Sequence, residues 1–318
     1  MTVPASRSTF TSPVDGLELA SYQWDVAAAR GVVQIAHGLA EHSARYDRFA
    51  VALNEAGYAV GAIDHRGHGA SISGTPGDLG AGGFEALIDD VAAYGATLRG
   101  DLPVFLFAHS MGSFAAQSVV LTHSEQYAGV VLSGSTALDL LAAGMAQAEG
   151  PSGLEAFNAG FEPHTGYEWL SRDETEVDRY VADPLCGFEV PDETMPALFG
   201  AAATLADPSA LAAIHSDLPL LIVSGSDDPL AAGGQLVEVL GQRYRDAGLV
   251  DVTVRLYDGA RHEIVNEINR DGVTSDVVAW LDAHRGSSAP SSGADGNAAT
   301  RSALRALVPP HADVVVRR

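Results

Sequence analysis

The sequence predicts an α/β protein: a mostly parallel central sheet with helices on both faces and an inserted helical cap. Three observations carry this. From Gly31 onward, short apolar runs alternate with helical patterns. The runs are apolar at consecutive positions, as expected for strands buried on both faces. The rhythm breaks once, between about Thr136 and Asp217, into Ala/Gly/Leu-rich helical segments with scattered aromatics such as Phe157, Phe161 and Trp169.

Taken in order, residues 32–36 form a strand, 45–55 a helix and 58–63 a second strand, the grammar of a βαβ unit. A helix around 84–98, a strand at 104–107, a helix at 111–122 and a strand at 130–132 repeat it. After the interruption come a strand at 220–223, a helix around 236–247, a strand at 252–257 and a last helix near 273–284. Residues 1–135 and 218–285 are thus expected to build one core, and 136–217 the cap. Residues 286–318 open with Gly286-Ser287-Ser288-Ala289-Pro290, linker composition, and are expected to be a flexible, disordered tail, with 303–308 its one helical stretch.

Composition narrows the function. With 47% hydrophobic residues the chain can bury a large core. Its net charge is −23, and every one of its 18 basic residues is Arg. Without lysine there is no Walker A lysine, no Schiff-base lysine and no Ser-x-x-Lys dyad. The acid excess repels phosphate backbones and anionic membrane surfaces, so neither nucleic acid nor a stable membrane anchor is expected. Cys186 stands alone, so no intrachain disulfide forms; it reads as a small buried hydrophobe. The Ser/Thr/Pro-rich start lacks the pattern of a secretory signal, and a cytoplasmic location is expected. The uncharged run 102–124 is long enough to span a membrane, but Pro103, His109, Ser110, Gly112 and Gln117 break it into a strand, a turn and a helix.

That turn carries the chemistry. The strand at 104–107 runs into Ala108-His109-Ser110-Met111-Gly112 and then a helix, the context of a nucleophile elbow. Small flanking residues permit a sharp turn that lifts the serine out of the sheet edge, and the helix N-terminus favours an oxyanion. Ala108 replaces the usual first glycine and adds one methyl group. A serine needs a base, and the base an orienting carboxylate, in the chain order Ser, Asp/Glu, His. Downstream strands deliver both: Ser224-Gly225-Ser226-Asp227-Asp228-Pro229 follows one, and Asp258-Gly259-Ala260-Arg261-His262-Glu263 the next. Asp228 is the chosen acid, with Asp227 the alternative, and His262 the base. The loop His37-Gly38-Leu39-Ala40-Glu41-His42 after the first parallel strand supplies the other oxyanion donor, the N–H of Leu39, beside that of Met111. His37 reads as a loop organiser.

His37-Gly38-x-x-Glu41-His42-Ser43-x-Arg45-Tyr46, Asp64-His65-Arg66-Gly67-His68-Gly69-x-Ser71, His109-Ser110-Met111-Gly112, Gly225-Ser226-x-Asp228-Pro229 and Arg261-His262-Glu263 together resemble the α/β-hydrolase superfamily, in its monoacylglycerol lipase, lysophospholipase and serine-aminopeptidase-like branch. The resemblance spans roughly residues 17–281. It implies a Ser110, Asp228, His262 triad with Leu39 and Met111 as backbone oxyanion donors, and a structural turn over 64–71. It implies no cofactor. A metal role for His65 and His68 is not expected, and His262-Glu263 does not begin a zinc-protease motif, because Asn266 stands where the second histidine belongs.

The expected function is a serine carboxylesterase or lipase acting on small or medium apolar acyl esters. Ser110 excludes the aspartate-nucleophile chemistry of capped epoxide hydrolases and dehalogenases. Thioesterase, amidase and aminopeptidase remain alternatives, although His37-Gly38-Leu39-Ala40-Glu41 departs from the His-Gly-Gly-Pro-Gly loop of proline-type peptidases. A non-catalytic binding protein on the same fold is the alternative of a different class.

Overall fold

The computed structural model describes residues 5–147 and 153–286. The first half of the chain forms β1 (Ser6–Thr11), β2 (Glu18–Trp24), β3 (Gly31–Ala36), α1 (Asp47–Glu55), β4 (Tyr58–Ile63), α2 (Gly83–Leu98), β5 (Val104–His109), α3 (Met111–His123) and β6 (Gly129–Ser133). Then come α4 (Leu138–Gln147), α5 (Glu174–Ala182), α6 (Thr194–Phe199), α7 (Ala202–Leu205) and α8 (Pro208–Leu211), before β7 (Leu220–Gly225), α9 (Gln235–Asp246), β8 (Val252–Tyr257) and α10 (Arg270–His284). The linker and tail expected after residue 286 lie outside the described residues.

One eight-stranded sheet runs β1-β2-β4-β3-β5-β6-β7-β8. From β4 to β8 every pairing is parallel, while β1 and β2 add an antiparallel edge. The sequence reading passes over those two strands for a physical reason. Almost every β1 residue is exposed, so its polar side chains leave no apolar run.

The parallel strands are buried on both faces, as their continuous apolar runs require. Along β5, Phe105 and Phe107 pack with Phe49 and Leu53 of α1 and Val277 and Leu281 of α10. Leu106 and Ala108 pack on the opposite face with α2, α3 and α9. That second core continues into the inserted helices through Leu138, Trp169, Leu170, Tyr180 and Leu198. The insertion is therefore seated on the sheet's own apolar face, where truncating a buried leucine costs about 2–5 kcal/mol.

Residues 102–124 contain β5, the turn and the whole of α3, and among the described residues no helix is long and apolar enough to cross a membrane. Because β3, β5, β7 and β8 run parallel, their carboxyl ends deliver the loops at 37–42, 110, 226–230 and 258–263 to one edge of the sheet.

Candidate active site

Ser110 sits between β5 and α3 at φ 50° and ψ −120°, a conformation costly for a residue with a Cβ and held only by surrounding contacts. Its N–H donates to the Ser133 carbonyl at 2.9 Å, pinning the turn to β6. Its carbonyl accepts from Ser113 N–H at 2.8 Å and from Ser113 Oγ at 2.6 Å. Gly112 is required here: a Cβ at that position would stand 2.4 Å from the Ala36 carbonyl oxygen and 2.5 Å from that of His37. Ala108 is accommodated in the core, and the sharp turn forms without a glycine there. Met111 opens α3, so its N–H falls in the first helical turn and has no intrahelical carbonyl to bond.

His262 and Asp228 meet from the loops after β8 and β7. The imidazole Nδ1 lies 2.9 Å from Asp228 Oδ2, with both side chains buried. Asp228 is fixed in turn by the Leu230 N–H at 2.9 Å and Ser224 Oγ at 3.2 Å. Burial works against the Asp228 charge, yet His262 and these donors hold its carboxyl below the usual range. Burial likewise disfavours the charged His262, but Asp228 outweighs it and raises the imidazole above 6.5. Among the described residues His262 Nε2, also buried, has no hydrogen-bond partner. Asp227, the alternative acid, is exposed; its carboxylate accepts from Ser226 and not from His262.

The loop after β3 is held from beneath. Gly38 N–H donates to Glu41 Oε1 at 2.5 Å, which ties down the start of the loop. A Cβ on Gly38 would lie 2.8 Å from that carboxylate oxygen and 3.2 Å from Ser110 Cβ, so the backbone passes directly against the Ser110 turn. His37 organises the loop as expected from sequence: Nδ1 lies 2.8 Å from the Gly38 carbonyl and Nε2 accepts from His65 N–H at 2.9 Å.

Three features escape local sequence reading. Glu41 also accepts from Tyr46 at 2.8 Å and Arg45 at 2.7 Å, and Arg45 reaches on to both oxygens of Glu263, at 2.5 and 2.7 Å. The quoted motifs contain Glu41, Arg45, Tyr46 and Glu263, but nothing in them says that they join. The second feature is Trp169, whose ring lies 4.9 Å from that of His262, while its carbonyl accepts from His262 N–H at 3.3 Å. His109 flanks the imidazole at 4.6 Å, and burial first, then the neighbouring His262, drive its pKa down to about 4, so it stays neutral. The third is a group of His42, Asp183 and Cys186, whose ligand atoms all lie within 4.8 Å of one another.

Comparison with known proteins follows the same lines. The profile of the family described as serine aminopeptidase, S33, matches residues 27–269. The monoacylglycerol lipase of Mycolicibacterium smegmatis is 30% identical over 276 residues, covering 80% of this chain and 89% of the relative. The human monoglyceride lipase is 28% identical, covering 84% and 88%. Among solved structures, a highly thermostable carboxyl esterase from Bacillus coagulans in complex with glycerol superposes with a TM-score of 0.76 at 27% identity, covering 89% of this chain and 99% of that one.

Proposed function

The chain belongs to the serine aminopeptidase S33 family of α/β-hydrolases, among monoacylglycerol lipases and esterases, and from that premise we propose that it is a serine carboxylic-ester hydrolase working through Ser110, His262 and Asp228. The observation that carries the reading is the buried Asp228–His262 pair at 2.9 Å, presented at the same sheet edge as a serine held at φ 50°.

In this reading His262 Nε2 takes the proton of Ser110 Oγ as that oxygen attacks the ester carbonyl carbon. Asp228 holds the proton on Nδ1, which fixes the tautomer and stabilises the imidazolium that forms. The N–H groups of Leu39 and Met111 receive the developing oxyanion. His262 then returns its proton to the departing alkoxide, leaving an acyl-enzyme. Water, deprotonated by the same Nε2, attacks that ester; Ser110 departs with the proton and the carboxylic acid is released.

Residues 136–217 are proposed as the cap that walls the acyl group. Each buried methylene of an acyl chain contributes about 0.8 kcal/mol, so kcat/KM should rise with chain length until the pocket is full. The net charge of −23 disfavours anionic lipid surfaces, and soluble esters of small or medium apolar acyl groups are the proposed substrates. The family's name gives aminopeptidase activity a claim as the second reading. A panel of p-nitrophenyl acyl esters beside aminoacyl anilides tests both: ester turnover lost in Ser110→Ala supports the proposal, and turnover of anilides alone replaces it.

A further inference from the structure

Cys186 is the chain's one cysteine, and a lone buried thiol is ordinarily an inert packing group. Its surroundings here are of another kind. It follows α5 within the turn 183–187, whose first residue, Asp183, places Oδ2 2.9 Å from His42 Nε2. The thiol sulfur closes the group, every ligand atom lying within 4.8 Å of the others.

We propose that His42, Asp183 and Cys186 form a site for a thiophilic divalent cation of the zinc type, binding outside the hydrolytic chemistry. The donor set is one imidazole nitrogen, one carboxylate oxygen and one sulfur. That combination suits zinc, with a water in the fourth position, and not calcium or magnesium, which need several oxygens. Ligand bonds of 2.0–2.3 Å around a tetrahedral ion set donors roughly 3.3–3.8 Å apart. To reach this spacing the direct His42–Asp183 contact at 2.9 Å opens to admit the ion, while wider separations in the group, none above 4.8 Å, close.

The framework is pre-set. Tyr180 Oη donates to the Ala40 carbonyl at 2.9 Å and Gly187 N–H to the same oxygen at 3.0 Å, so the two ligand-bearing segments are already docked. His42 and Cys186 are buried, while the Asp183 side chain is about a third exposed and gives an entry path. Arg45, the neighbouring cation, is itself paired with Glu41 and Glu263, which leaves the Asp183 carboxylate beside the thiol to favour a cation. Burial holds the thiol protonated, so binding must expel one proton from Sγ to solvent as the sulfur–metal bond forms.

The test uses the full chain and two ions alone. Cobalt(II) titrated into the protein should produce thiolate-to-cobalt charge-transfer absorption that saturates at one equivalent and is displaced by zinc. Zinc at a hundredfold excess over Kd should raise Tm by about 4 °C. Both signals should vanish in Cys186→Ser and weaken in Asp183→Asn, neither of which touches the proposed triad. A wild-type chain lacking the absorption at saturating cobalt overturns the proposal, as does a zinc-induced Tm rise that persists unchanged in Cys186→Ser.

Discussion

Arg45, in the segment after the loop 37–42, grips both carboxylate oxygens of Glu263, the residue next to His262, across 218 positions of sequence. Through the second contact of Arg45 with Glu41, which holds Gly38 N–H, one buried guanidinium joins the loop proposed to bind the oxyanion to the loop proposed to carry the base. Both Arg45 and Glu263 are nearly sealed from water. Removing Arg45 strands the two carboxylates of Glu41 and Glu263 in the interior, a loss of about 3–5 kcal/mol, while removing Glu263 leaves Arg45 with Glu41 alone. Glu263→Gln or Arg45→Met should each lower Tm by about 5 °C or more and reduce kcat. A double-mutant cycle should return a large coupling, and independent, additive losses would refute the link.

Ester hydrolysis should fall by a factor of about 10⁴ or more in Ser110→Ala with folding intact, since every covalent step passes through that oxygen. Asp228→Asn should be nearly as damaging, because with the amide oxygen kept by the Leu230 N–H the NH2 group faces Nδ1 and fixes the wrong tautomer. Asp227→Asn should stay within about threefold of wild type, the side chain being exposed and turned to Ser226. Comparable losses in both aspartate variants would unseat Asp228 as the orienting acid.

Much of this candidate site was legible in the sequence because Ser110, Asp228 and His262 each stand in the turn that follows a strand, with a turn signal beside it, and strand order fixes where such turns emerge. The Arg45–Glu263 bridge was not, since its partners come together only when β3 and β8 are assembled into one sheet. Nor was the stacking of Trp169, an aromatic within an Ala/Leu-rich segment whose periodicity speaks for packing alone. β1 was invisible for the opposite reason: an edge strand that buries little has no apolar pattern to show.

The pH profile should carry the mark of Asp228. Burial alone would lower His262, and the carboxylate overcomes it, so the base titrates above 6.5. Only the neutral imidazole accepts the serine proton; kcat/KM should therefore rise with pH through an apparent pKa above 6.5 and level off. In Asp228→Asn the midpoint should move down, with burial then opposed only by the carboxylates of Glu263 and Glu41. A profile flat between pH 5 and 8, with chemistry rate-limiting, would remove His262 as the base.

Acid should loosen the fold well before the carboxylates titrate. His37, His65, His68 and His109 are buried, and burial holds each below 6.5, that of His109 down to about 4. Their lowered values mean that the unfolded chain binds protons which the native chain refuses. This stability is complete above 6.5 and is lost as pH falls from there toward the folded values, at about 1.4 kcal/mol per pH unit for each histidine. His262, shifted upward, opposes it as a single group. Melting followed from pH 7.5 to 5 should show Tm falling steadily below 6.5, and a constant Tm across that range would contradict the neutral histidine cluster.

Trp169 should tune the imidazole proposed as the base, against which its ring packs at a tilt. Its ring faces His262 at 4.9 Å with an interplanar angle of 41°, and the side chain is almost wholly buried. An aromatic face stabilises a neighbouring cation by about 0.5–2 kcal/mol, more when water is excluded, and the imidazolium is the form that appears in the proposed transition state. Trp169→Leu keeps apolar volume but loses the face, so the apparent pKa of kcat/KM should drop by about 0.5–1 unit and kcat should fall with it. Trp169→Phe keeps a ring and should retain most of both. Phe157, whose ring meets Trp169 at 5.2 Å, is the control, because Phe157→Leu disturbs the same packing one layer farther from the imidazole. If Trp169→Leu and Phe157→Leu lowered activity equally with no movement of the pH midpoint, the tryptophan would be packing the insertion and not setting the base.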